Sequence, residues 1–169
     1  MSRMTRGAQR AAIVRVTHFL VEDMASHCVA FELLIPAEPR AVFDALSDHE
    51  VFGEFWGLSI RRLRPGPHAD SPNGLGSVRR IPSPLGHFEE TITRFEAPAL
   101  IEYQVSSWGP VKDHLGRLEF QVVPGGTRLD YRIRFSPRIP FTGGLISAIL
   151  RRDWGRHAPA AARRHFAVT

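Results

Sequence analysis

Glu90, Arg80 and Tyr131 are the residues of this sequence best suited to do chemistry. The strand pattern His87–Phe95 gives Glu90 the same alternation phase as Phe88 and Ile92, so the carboxylate shares a face with two apolar side chains. An inward-facing carboxylate costs several kcal/mol unless a donor meets it. Arg80, on the neighbouring strand pattern Gly76–Ile81, is the natural donor. Tyr131 lies in the apolar phase of Thr127–Ser136. Brought together, the three could bind a polar ligand group or act as general acid and base. The same residues also fit a plainer arrangement, an ion pair satisfied near the sheet edge. Tyr131 and Tyr103 would then place only their hydroxyls at a wet rim.

Other reactive types are arranged less suggestively. The histidines, His27, His49, His68, His87, His114, His157 and His165 besides His18, are scattered, with no HExxH or His-Cys spacing, so no metal site is expected. His87 and His114 could meet at one end of the sheet. The lone Cys28 excludes an internal disulfide and is expected to be an inert buried thiol. No serine occupies a G-x-S-x-G elbow. Gly74-Leu-Gly76 lacks the downstream glycine and helix of a nucleotide fingerprint and reads as a turn. No cofactor is implied.

The formal net charge is +5, yet Lys112 is the only lysine and arginine carries the rest. Arginine suits oxyanions, but here it is spread through every element instead of gathered in one run, so no nucleic-acid partner is expected. Hydrophobic residues make up 43% and charged residues 23%, ordinary values for a globular chain. With 169 residues there is material for one substantial core, not two. No apolar run approaches the roughly 20 residues of a membrane span. Ala11–Val21 is broken by Arg15 and His18 and lacks a cleavage site, which makes it a poor signal peptide and points to the cytoplasm. A monomer or homodimer fits these features.

The elements that must position these residues follow from punctuation. Met1–Arg10 is polar, basic and aperiodic, and Ala11–Val21 suits a short helix or an extra strand. Residues 1–26 therefore read as an N-terminal extension, partly disordered, ahead of a domain spanning 27–169; Met24 could itself be the initiator. Val29–Ile35 alternates as a strand. Pro39 opens a helix through Ala41–Leu46, and Ser47-Asp48 ends it and caps a second, aromatic-rich helix, Glu50–Trp56, which Gly57 stops. From Leu58 to Pro137 the pattern is strand and turn: 58–64, 76–81, 87–95, 100–107, 114–123 and 127–136. Leu118, Phe120 and Val122 share one phase; so do Leu129, Tyr131, Ile133 and Phe135, against Arg128, Asp130, Arg132 and Arg134 on the wet side. Beyond Pro140 the period turns helical to Phe166, with an apolar stripe of Leu145, Ile146, Ile149, Leu150 and Trp154. Pro159 should bend that helix or end its first half. An antiparallel sheet whose only large cover is one long helix must curl around it, giving an α+β fold.

Ile35-Pro-Ala-Glu-Pro-Arg-Ala-Val-Phe-Asp-Ala-Leu-Ser-Asp48, Phe55-Trp56, Gly74-Leu-Gly76, Glu89–Pro98, Tyr103 and Gly125-Gly-Thr127 follow one another along the chain. In that order they resemble the START-like or SRPBCC superfamily, in particular its polyketide cyclase/dehydrase-like branch. The resemblance runs from about Cys28 to the C-terminus. It implies a helix-grip fold, with a curved antiparallel sheet around the long last helix and two short helices after the first strand. It also implies a hydrophobic cavity. Members bind lipids, sterols, polyketides or plant hormones; some catalyse cyclisation or dehydration, and some act as toxins or co-chaperones. No catalytic set is shared across the branch, so none is carried over. On this reading Phe88, Ile92, Tyr103, Val105, Trp108, Leu118, Phe120, Leu129, Tyr131, Ile133 and Ile149 contact a hydrophobic small molecule such as a lipid or polyketide. A carrier is the first expectation; a cyclase or dehydratase using Glu90, Arg80 or Tyr131, and an interaction module of the toxin–antitoxin kind, are the alternatives. Trp108-Gly109-Pro110 and Phe141-Thr142-Gly143-Gly144 join aromatics to hinge-capable glycines and could gate the cavity. Arg151, Arg152, Arg156, Arg163 and Arg164 make the last helix basic, which suits a solvated face or peripheral contact with an anionic membrane.

Overall fold

The computed structural model describes residues 14–15, 26–84 and 86–166. Its elements are β1 (Val14–Arg15), β2 (His27–Ile35), α1 (Pro39–Ser47), α2 (His49–Trp56), β3 (Arg61–Arg64), β4 (Val78–Ser83), β5 (Gly86–Glu96), β6 (Leu100–Val105), β7 (Val111–Val123), β8 (Gly126–Pro137) and α3 (Gly143–Phe166). The expectations for Met1–Arg10 lie outside the described residues, as does most of Ala11–Val21. Within the latter, Val14–Arg15 pairs with Leu33 and Glu32 as a short strand.

Local chemistry sets the boundaries. Pro39 opens α1, where its missing N–H costs nothing. The Asp48 carboxylate accepts from the Glu50 and Val51 backbone N–H groups and so caps α2. Gly57 ends α2 at φ 67°, a left-handed conformation that residues with a Cβ adopt at a cost. The chain straightens into β3 only at Arg61, three residues later than the alternation suggests.

The strands form one antiparallel sheet in the order β1-β2-β8-β7-β6-β5-β4-β3. β2 and β8 pair with Val29 opposite Ile133, Phe31 opposite Tyr131 and Leu33 opposite Leu129, which puts their apolar sets on one face. That face curls around α3, and α1 and α2 close one end: a helix-grip fold. No described helix is long and apolar enough to cross a membrane.

Three expectations need correction. Pro159 does not end the last helix, which runs unbroken through it. The group Pro159 displaces is the carbonyl of Gly155, one turn earlier, and the flanking Ala158, Ala161 and Ala162 are fully buried, so packing holds the turn. Cys28 is exposed instead of buried, because Val29, Phe31, Leu33 and Ile35 take the inner face and turn it outward. Val122 is 79% exposed, since it lies at the β7–β8 hairpin beyond the covered part of the sheet.

Candidate functional site

Between the sheet and the first half of α3 lies a cavity of about 750 Å3, within the usual range for small-molecule sites. Its walls come from α2 (Phe52, Trp56), β4 (Ile81), β5 (Phe88), β6 (Tyr103, Val105), β8 (Ile133, Phe135) and α3 (Ile146, Ile149, Leu150). At its mouth Trp108 is 69% exposed and Ile149 40% exposed, and an exposed Arg152 bonds its neighbour Asp153.

The polar groups on the inner wall are few. β4 and β5 pair with Arg79 opposite Glu90 and Arg80 opposite Glu89. The donor to Glu90 is therefore Arg79, not Arg80. Arg79 shares its phase with inward-facing Ile81, whereas Arg80 faces solvent. Arg79 Nε donates to Glu90 Oε2 at 2.9 Å, and Nη2 lies 2.8 Å from the same oxygen without good hydrogen-bond alignment. The guanidinium is sandwiched between two rings, 4.2 Å from the Phe52 centroid and 4.3 Å from that of Tyr103. This cation–π sandwich stabilises a charge that is almost wholly withdrawn from water. Arg79 does not reach the cavity wall, but Glu90 does.

Tyr103 lies flat across β7 because its cross-strand partner is Gly116; a Cβ there would collide with the phenol ring. The Tyr103 hydroxyl is hydrogen-bonded to that of Tyr131. Burial, then the nearby Glu90 charge, push the Tyr103 phenol well above its usual range. Burial and then Tyr103 do the same to Tyr131, so both stay protonated.

His114 completes the inner wall. The β7–β8 register slips between Lys112 and Leu115, with Asp113 at φ 52°. Such a bulge re-aims side chains. Here it brings Val111 inward, while His114, in phase with Leu118 and Phe120, sets its ring on the cavity wall 5.5 Å from the Tyr103 ring, with Nδ1 buried and unpartnered. Burial lowers the His114 pKa; the Glu90 charge opposes that shift and Arg79 adds to it. His87 reaches the same cavity but is exposed.

The residues named from sequence divide into two groups. Phe88, Tyr103, Val105, Trp108, Ile133, Ile149 and Glu90 line the cavity. Ile92, Leu118, Phe120, Leu129 and Tyr131 are buried in the adjoining core without lining it. Tyr131 packs against Phe31, Phe52, Trp56 and Trp154, so it sits behind Tyr103. Sequence reading missed Arg79, Phe52 and Trp56 as wall residues and named His114 only for an approach to His87. The phase of Ile81 would have found Arg79 and that of Leu118 and Phe120 would have found His114, but nothing in the sequence announces the bulge at Asp113, which brings Val111 inward too. Of the two glycine-containing loops, the first brings Trp108 to the mouth, while Phe141 stands fully exposed at φ 65°.

The sequence profile described as polyketide cyclase/dehydrase and lipid transport matches residues 26–164. No curated protein matches the sequence. Solved structures share the fold at low identity. Ara h 8.0201 is 13% identical with a TM-score of 0.58, over 83% of this chain and 97% of its own. Ms6760 from Mycobacterium smegmatis is 14% identical with a TM-score of 0.59, over 89% of this chain and 94% of its own. The di-domain ARO/CYC BexL from the BE-7585A biosynthetic pathway is 18% identical with a TM-score of 0.60, over 86% of this chain and 51% of its own.

Proposed function

Because the chain belongs to the polyketide cyclase/dehydrase and lipid transport family, we propose that it binds a hydrophobic small molecule in the cavity between the sheet and α3 and acts as a carrier. The observation that carries this reading is the 750 Å3 space walled by aromatic and aliphatic side chains. A soluble chain that left such a space unused would forgo the contacts a filled core supplies. The test is native mass spectrometry of freshly purified protein, backed by Nile red titration. A bound small molecule and saturable dye fluorescence are expected. Protein of the bare chain mass that leaves the dye dark in every preparation would overturn the proposal.

The buried Glu90–Arg79 pair favours a second reading. A carboxylate on the cavity wall, anchored through one oxygen and lying near a neutral imidazole, can move a proton to or from a bound ligand. In a cyclase or dehydratase, Glu90 would accept the substrate proton and pass it to His114, whose imidazole takes it on one nitrogen as it gives one from the other to the leaving oxygen, which departs as water. Arg79 takes the place expected of Arg80, and Tyr131 acts only through Tyr103. Incubating the protein with its co-purified ligand separates the readings. A ligand released with mass and chromatographic retention unchanged supports carriage; loss of one water supports dehydration, and an isomer of equal mass with shifted retention supports cyclisation.

A further inference from the structure

The polar groups of the inner wall are biased toward one ligand chemistry. Glu90 is 6% exposed, and both Arg79 contacts fall on Oε2. No described group donates to Oε1, so the carboxylate faces the cavity as an acceptor. The Arg79 charge that balances it is sealed behind the Phe52 and Tyr103 rings and cannot reach a ligand. Beside Glu90, His114 is held neutral by burial, and a neutral imidazole has one donor and one acceptor. A group that donates to Glu90 and also exchanges a hydrogen bond with His114 satisfies both; a hydroxyl does this and a carboxylate does not. The one arginine among the described residues lining the cavity, Arg152, is exposed at the mouth and paired there with Asp153, so no described arginine or lysine meets an anionic end at the inner wall.

We infer that the ligand enters with a neutral hydroxyl leading, a phenol or an alcohol, which binds between Glu90 and His114, and that ligands ending in carboxylate are not held at this inner wall. This rests on the ligand-binding reading above and names the substrate class for it. It also refines the acid–base alternative, since a hydroxyl placed there is the group that would lose or gain the proton.

The test uses naphthalene, 2-naphthol and 2-naphthoate, three ligands of the same ring and different ends, titrated calorimetrically against the full chain. 2-Naphthol is expected to bind about tenfold more tightly than naphthalene, the gain of a hydrogen bond to a charged acceptor. 2-Naphthoate is expected to gain nothing over naphthalene. Glu90→Gln should shrink the naphthol advantage and narrow the gap to naphthoate. Because that variant strains the Arg79 pair, His114→Phe provides a second arm outside the ion pair and should shrink the advantage too. Naphthol and naphthalene binding equally, or naphthoate binding tightest, would overturn the inference and leave the ligand-binding reading standing. If none of the three binds and Nile red stays dark, the ligand-binding reading itself fails, and the inference with it.

Discussion

One strand, β8, faces two different interiors. Leu129 and Tyr131 point into a solid aromatic core, while Ile133 and Phe135, two and four residues on and in the same phase, wall an open cavity. The difference comes from what lies opposite. Over Tyr131, α3 presents Trp154, which is essentially unexposed, as are Ala158, Ala161 and Ala162 further along the helix. Small residues let the helix approach the sheet closely, and Trp154 fills the remaining gap against Phe31, Phe55, Trp56 and Tyr131. Beside the second pair the cavity lies between the sheet and Ile146, Ile149 and Leu150 of α3, and Ile149 is 40% exposed. The helix clamps the sheet beside Trp154 and leaves a gap beside Ile146, Ile149 and Leu150.

Truncation on the two sides gives the largest expected difference. Trp154→Ala removes a fully buried side chain from a close-packed site and should cost about 3–5 kcal/mol, from transfer plus the new void. Ile133→Ala borders a void that already exists, so little new dry cavity forms, and the cost should be about 2 kcal/mol or less. Urea denaturation measures both. Equal costs would mean that the cavity wall is packed as tightly as the core and would break the distinction.

Acid gives a smaller effect that also separates the regions. His49, the first residue of α2, is buried, with neither ring nitrogen hydrogen-bonded. Burial, then the charges of Arg79 and Arg62, lower its pKa from 6.5 to about 3; the nearby Asn73 backbone opposes this without closing a hydrogen bond. Because the folded pKa lies below the unfolded one, the unfolded chain binds the extra proton between these values. Stability is therefore full above pH 6.5 and falls as pH drops through that window. The slope approaches about 1.4 kcal/mol per pH unit for His49, and His114 on the cavity wall adds in the same direction. Thermal melts between pH 7 and about 5 should show the loss, before carboxylates begin to titrate. His49→Gln should flatten the His49 share and leave the His114 share in place. An unchanged pH profile in that variant would place the sensitivity elsewhere.

Alternation could not foresee the split along β8, because periodicity reports which face is inward and not what meets it. The strand and helix order was legible because prolines, glycines and the Asp48 cap mark each boundary locally. Glu90 was legible as an inward carboxylate for the same reason. Its partner was misassigned by one position, although Ile81 carried the phase that points Arg79 inward. Val111 joins His114 on the cavity wall only because of a bulge at Asp113, and Gly116 matters only because Tyr103 of the adjacent strand lies over it. Both are pairings between strands, which one strand's pattern does not contain. Tyr131 illustrates the opposite limit: its phase was right, but Tyr103 stands between it and the cavity.

The smallest expected effect lies at the mouth. Trp108 lines the cavity entrance while 69% exposed, so its ring contributes little to folding. The next residue, Gly109, is pinned against Phe88; a Cβ there would lie 3.2 Å from that side chain's Cβ. The loop backbone is thus held at its base while the indole stands free. Trp108→Ala should leave stability within about 0.5 kcal/mol of the parent, yet ligand release, followed by stopped-flow displacement of Nile red, should quicken. A kinetic change without a stability change would mark Trp108 as a barrier to exit. A stability loss as large as that of Ile133→Ala would instead make the loop part of the packed structure, and the boundary between clamp and cavity would move outward to include it.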